Sequence, residues 1–181
     1  MRIIPEMPHL FPRSSGVILR QPEAGDVASL ADLEFDSDVK QYSKIPELPK
    51  DKWAAEFTRG LGSHDLLTVV SLPEMAVAGR ASISRVEFNN GDPIYYGPYN
   101  HELSIFIAKP FWSRGLGRIV AQDLIRLAFS EFQAKGIVAI AHPENTAALT
   151  LLRCFGFAQI GVKVAQGWQN GHLEFALSRS A

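Results

Sequence analysis

The sequence predicts an α/β chain of the mixed α+β kind, and three observations carry that prediction. Leu66 to Leu72, Ala76 to Phe88 and Leu103 to Ala108 are rich in β-formers and follow one another as successive antiparallel strands do. The third leads through a glycine loop into an amphipathic stretch, Arg118 to Lys135, and then into the apolar run Ile137 to Ala141: a βαβ unit with a right-handed crossover. The tail, Phe157 to Val164 and His172 to Leu177 about Asn170-Gly171, reads as a hairpin.

Taken in order, Val17 to Arg20 is a short first strand, and Gln21 to Asp26 supplies turn residues with Asp26 placed to cap a helix. Val27, Leu30, Ala31 and Leu33 give that helix its apolar stripe. Asp36-Ser37-Asp38 is a second helix start. After Pro46 and Pro49, a helix from Asp51 to Gly60 is anchored by Trp53, Phe57 and Leu61. Asn89-Asn90-Gly91-Asp92-Pro93 is a turn. Val120, Leu124, Leu127, Ala128 and Phe132 recur at helical spacing, with Gly136 as the stop. Thr146 to Phe155 is a last helix, ended by Gly156.

At 181 residues the chain supports a single domain, 1–181, with 1–15 an irregular segment broken by Pro5, Pro8 and Pro12. Eighteen basic against nineteen acidic residues give no field that would draw nucleic acid or a membrane surface. No stretch approaches the roughly 20 apolar residues of a membrane helix. Cys154, the lone cysteine, excludes internal disulfides and favours the cytoplasm; beside apolar residues it reads as a buried small hydrophobe. His9, His64, His142 and His172 lack ligand spacing, so no metal site is expected.

The chemistry concentrates at Ser113-Arg114-Gly115-Leu116-Gly117-Arg118, between a strand and a long helix. Free amides and the dipole at a helix N-terminus favour an anion. Gly115 and Gly117 let a pyrophosphate approach the backbone, and Arg114 and Arg118 add charge. The spacing lacks the Gly-Lys-Ser/Thr ending of ATP loops and the third glycine of dinucleotide folds. A purely structural turn is the competing reading of such a loop.

The stretch Pro110-Phe111-Trp112-Ser113-Arg114-Gly115-Leu116-Gly117, with Pro143-Glu144-Asn145-Thr146-Ala147-Ala148 and Cys154-Phe155-Gly156-Phe157, resembles the GNAT acetyltransferases, most of all the RimJ/RimL-like branch. Leu19-Arg20-Gln21-Pro22 with Asp26, and Asp36 to Tyr42, extend the likeness upstream. The resemblance implies a twisted, mixed, mostly antiparallel sheet with two splayed central parallel strands, flanked by helices. It implies acetyl-CoA as co-substrate, its pantetheine arm pairing with backbone at Phe106, Ile107 and Ala108. Asn145 would hold the cofactor, cap its helix, or do both. Trp112 stands where the family carries Gln or Arg, as tryptophan often does in the RimL-like branch, and the connection from Pro110 to Gly115 is one residue shorter than the branch pattern.

Acetyl transfer to an amine needs a deprotonated nucleophile. The resemblance nominates Glu102 as the base; an exposed strand-end carboxylate is its plainer reading, and His101 would point to the opposite face. The family's usual acid, a tyrosine, is Leu152 here, and Ala148 replaces a frequent serine, so no acid is named. Tyr95, Tyr96 and Tyr99, and Trp168 with Gln169, either border an acceptor site or cover loops. The acceptor is a primary amine, on a protein N-terminus or a small molecule, and a homodimer stays open. A catalytically impaired acetyl-CoA-binding regulatory or sensor module is the alternative function.

Overall fold

Alternation of buried apolar and outward residues creates the first strand. In the computed structural model, which describes residues 16–43, 48–62, 66–72, 74–85, 99–163 and 171–179, Val17–Arg20 form β1 with Val17 and Leu19 buried. The other strands are β2 (Leu67–Ser71), β3 (Ala76–Arg85), β4 (His101–Ile107), β5 (Gly136–Ala141), β6 (Ala158–Lys163) and β7 (His172–Ser178). The helices are α1 (Val27–Phe35), α2 (Ser37–Lys40), α3 (Lys50–Arg59), α4 (Leu116–Ser130) and α5 (Thr146–Cys154). The strand order is β1-β2-β3-β4-β5-β7-β6. The β1–β2, β2–β3, β5–β7 and β6–β7 ladders are antiparallel, while β4 and β5 pair in parallel at His101↔Ile137 and Glu102↔Val138. This is the mixed, mostly antiparallel sheet expected from the sequence.

The chain divides into two compact units, residues 1–82 with 105–123 and residues 83–104 with 124–181. In the first, Val27, Leu30 and Phe57 form a buried cluster against which Trp53, Ala54, Leu61, Leu66 and Val77 pack. Trp53 and Phe57, one helical turn apart, stack with ring centroids 4.9 Å apart. Asp36 caps α2 as expected, accepting from the Asp38 and Val39 N–H groups.

Asp26 departs from its expected role. It stands at the N-cap of α1, but its side chain makes no cap bond there. Its buried carboxylate instead accepts from Arg20 at 2.6 and 2.8 Å, from the Thr68 hydroxyl at 3.1 Å and from the Glu23 N–H at 2.9 Å. Burial pushes this carboxyl up, but the bonds from Arg20 and Glu23 outweigh it and hold the group below the ordinary carboxylate range. A charge-assisted cluster tying β1 to β2 is stronger than a single helix cap.

In the second unit β5 is buried almost throughout, with Ile137 and, on β7, Phe175 fully enclosed. The α5 helix ends as expected: Gly156 takes φ +81°, and the Phe157 N–H reaches back to the Leu152 carbonyl at 3.0 Å.

Two expectations fail. The α4 helix stops at Ser130, not Lys135, and leaves through Gln133 at φ +50°, with the Phe132 and Ala134 N–H groups closing on the Leu127 and Ala128 carbonyls. Gly136 opens β5 rather than ending the helix; a Cβ there would lie 2.5 Å from the Tyr99 ring. Cys154 is exposed, because α5 turns Leu149 and Leu152 inward and a residue two beyond Leu152 falls on the far side. The 89–93 turn, Asn170, Tyr95, Tyr96, Trp168, Gln169, His9 and His64 lie outside the described residues.

Candidate active site

Strand β4 leads into the glycine loop through Ala108 and a 3₁₀ turn, Lys109–Phe111. Trp112 to Gly115 are exposed, Ser113 and Gly115 adopt φ +60° and +78°, and buried Leu116 fixes the start of α4. The helix thus begins two residues earlier than Arg118, placing Gly117 in its first turn. The Arg118 and Ile119 N–H groups bond to the Gly115 carbonyl at 3.1 and 3.2 Å. The N–H groups of Leu116 and Gly117 precede that ladder, where a helix has donors to offer an anion. Gly115 needs its lack of a side chain for its backbone angle; a Cβ there would meet no atom within 4 Å.

Two of the loop's cations, Arg114 and Lys109, have internal partners. Arg114 Nη1 donates to Glu74 Oε1 at 2.9 Å, and its guanidinium carbon lies 5.1 Å from the Phe111 ring centroid. Ser71 Oγ donates to the other Glu74 oxygen at 2.7 Å. That hydrogen bond, with Arg114 adding to it, holds the Glu74 carboxyl below its ordinary range. Lys109 Nζ meets Asp38 Oδ2 at 2.6 Å, which raises the lysine. Arg118 is exposed.

Phe106, Ile107 and Ala108 do not present equivalent backbone. The Ala108 N–H donates to the Ala78 carbonyl on β3 at 2.8 Å, and the Ala108 carbonyl accepts the Phe111 N–H at 2.9 Å. The Phe106 carbonyl crowds Gly79, also on β3. By strand alternation Ile107 turns its groups to the opposite edge, where its carbonyl accepts the Trp112 indole N–H at 2.6 Å. The Arg80 guanidinium stacks 4.0 Å over the Phe106 ring and pairs with Glu34 at 2.8 Å.

These loop and strand positions lie in the first unit; Glu102 and Asn145 lie in the second. Glu102 is half-buried beside Val138, and His101 alternates to the buried side, as the strand period requires. His101 stacks on Phe132 and its Nδ1 lies 2.9 Å from Asn100 Oδ1; burial, then Arg85, lowers its pKa and favours the neutral ring. The Tyr99 ring covers Gly136. Asn145 Oδ1 accepts from the Ala148 N–H at 3.0 Å, the geometry of an N-cap, and leaves its NH₂ free to serve elsewhere. Leu152 is buried.

Two contacts have no local sequence signal. Glu74 meets Arg114 forty residues away. His142 and His172 are both buried, with ring centroids 5.1 Å apart, because the β5–β7 register that pairs Ala141 with Leu173 makes them the next cross-strand neighbours. Among the described residues no group of three or more His, Cys, Asp and Glu side chains is arranged to hold a metal, and no helix is long and apolar enough to cross a membrane.

A family model described as an acetyltransferase (GNAT) domain matches residues 17–158. Among curated proteins none matches. Among solved structures, a GNAT-family acetyltransferase from Bacillus anthracis is 18% identical, covering 93% of this chain and 98% of its own, with a TM-score of 0.77. The spermidine N-acetyltransferase of Vibrio cholerae, in complex with CoA and spermine, is 18% identical over 91% of this chain and 96% of its own, TM-score 0.71. RimJ of Mycobacterium smegmatis, in complex with CoA-disulfide, is 16% identical over 90% and 81%, TM-score 0.67.

Proposed function

We propose that this chain, which belongs to the GNAT acetyltransferase domain family, moves acetyl from acetyl-CoA to a primary amine by direct transfer in a ternary complex. The observation that carries the reading is the passage from β4 through Gly115 at φ +78° into the N-terminus of α4, where the Leu116 and Gly117 N–H groups precede the helical ladder. Arg114, Gly115, Leu116, Gly117 and Arg118 hold the pyrophosphate. Of the β4 backbone at Phe106, Ile107 and Ala108, the Ile107 N–H is the group best aimed to pair with pantetheine. Asn145 contributes its NH₂ while its oxygen caps α5.

The amine nitrogen attacks the thioester carbonyl, backbone amides polarise that carbonyl, and the carbon–sulfur bond breaks with the electron pair leaving on sulfur. Glu102 takes the proton the amine must lose, directly or through water. The thiolate needs no named acid, since a thiol pKa of about 8.5 makes it an adequate leaving group. We place the chain in the RimJ/RimL-like branch on its own motifs, as one domain working in the cytoplasm. The acceptor is a protein N-terminal α-amine or a small-molecule amine such as a polyamine.

The test is CoA release from acetyl-CoA against a panel of N-terminal peptides, polyamines and amino acids, with Glu102→Gln followed over a pH series. An unchanged rate for that variant removes Glu102 from the mechanism. Buried Leu152 and half-buried Ala148, in place of the family's tyrosine and serine, favour a second reading, an acetyl-CoA-binding module without turnover. Tight acetyl-CoA binding with no acceptor-dependent release would support it.

A further inference from the structure

The turn between β2 and β3 reaches the glycine loop through a single carboxylate. We propose that Glu74 is an internal competitor for the cofactor pyrophosphate, occupying Arg114 and so setting how tightly the loop holds its anion. The inference rests on the reading of the loop as the CoA phosphate site and names a regulator of that site outside the loop.

Both Glu74 oxygens are engaged, one by Arg114 at 2.9 Å and the other by Ser71 at 2.7 Å. Ser71 is buried in β2, so the carboxylate is tethered to the sheet and does not travel with the loop. Arg114 is held in turn between Glu74 and the Phe111 ring. A phosphate at the Leu116 and Gly117 N–H groups therefore meets a cation already neutralised by a fixed anion beside it. It must displace that anion from Nη1 before Arg114 can serve it. Each side chain of the pair is a little under half exposed, so solvent screens the interaction and keeps the competition modest.

Glu74→Gln removes the charge while keeping the shape and an oxygen for Ser71. Acetyl-CoA binding, measured by calorimetry on the full chain at low ionic strength, is expected to tighten by about two- to fivefold, the range that an exposed pair supplies. The gain should shrink in high salt as screening weakens the Glu74–Arg114 pair. It should vanish in an Arg114→Gln background, which isolates the pairwise coupling. With 3′-dephospho-CoA the gain should persist, because the pyrophosphate remains.

Unchanged or weaker binding by Glu74→Gln overturns the proposal, as does an equal gain without Arg114. A gain lost with 3′-dephospho-CoA overturns the assignment to the pyrophosphate. A parent that binds no acetyl-CoA would refute the loop reading and this inference with it, a result distinct from a binding parent whose variant gains nothing.

Discussion

Gly79 is where β4 is most exposed to a single added methyl group. A β-bulge in β3 opposes Val69 with Gly79 and Val70 with Val77, leaving Ala78 as the extra residue. The Ala78 carbonyl takes the Ala108 N–H at 2.8 Å, and the Phe106 carbonyl lies against the bare Gly79 Cα. A Cβ at Gly79 would sit 3.1 Å from both the Phe106 carbonyl carbon and the Ile107 Cα, and well inside contact distance of the Phe106 oxygen. These obstacles are backbone, so no side chain can swing aside. Clearing the oxygen moves β4 by on the order of 1 Å, with an overpacking cost of about 1–3 kcal/mol. Weakening the Ala108–Ala78 hydrogen bond adds about 1 kcal/mol. Gly79→Ala should therefore lose roughly 2–4 kcal/mol in denaturant titration, and its melting temperature should fall by roughly 4–16 °C. Acetyl-CoA affinity of the folded variant should fall about tenfold, because Ile107 moves with the strand. A variant within about 0.5 kcal/mol of the parent, with unaltered affinity, would show that β4 is not held by this contact.

Asp26→Asn should destabilise by about 2–3 kcal/mol, less than a fully buried pair because Arg20 can rehydrate; a urea midpoint equal to the parent's would refute the cluster's role. The folded pKa values of His101 and Asp26 are both lowered, so the unfolded chain binds more protons and stability rises with pH. Stability should fall as pH drops below about 6.5 for His101, and again below about 4 as Asp26 approaches its folded value. The second phase should shrink in Asp26→Asn to what Glu74, also held below its ordinary range, contributes, and an undiminished phase would remove Asp26 from it. Gly117→Val lies in the first turn of α4, so folding by circular dichroism should be little changed while acetyl-CoA affinity drops at least about tenfold. Equal affinity would defeat the phosphate placement. Leu152→Tyr, restoring the family's residue, should cost about 1–3 kcal/mol through overpacking and leave kcat no higher, since the position is buried. A faster variant would show that a tyrosine can reach the leaving group from there.

What the residues disclose in advance follows the range of the interactions. The β4–loop–α4–β5 succession is readable because strand period, glycine and helical stripe are each encoded within a few residues. Asn145 as a cap and Gly156 as a stop are equally local. Asp26 looks like a cap in sequence because its partners, Arg20 and Thr68, come from two strands that only the fold assembles. The end of α4 is overrun because Phe132 fits the apolar stripe, while Tyr99 sets the need for glycine at 136. Cys154 sits among apolar neighbours in sequence, but the 100° turn per residue sends it away from Leu152. Glu74 and the His142–His172 contact depend on register and on a forty-residue closure, for which one chain offers no pattern.

The tight connection before Gly115 and the tryptophan at position 112 are linked by one contact. The chain between Ala108 and Gly115 has little length in which to turn from strand to helix. The 3₁₀ turn at Lys109–Phe111 tightens the path, and Ser113 accepts a left-handed φ that a non-glycine residue adopts at a cost of about 1–2 kcal/mol. Trp112 offsets that cost by returning its indole N–H to the Ile107 carbonyl, five residues back, and so ties the loop to the end of its own strand. A Gln or an Arg, as the family carries there, could instead send its donors outward to a phosphate. Here the guanidinium two residues later, Arg114, is held by Glu74.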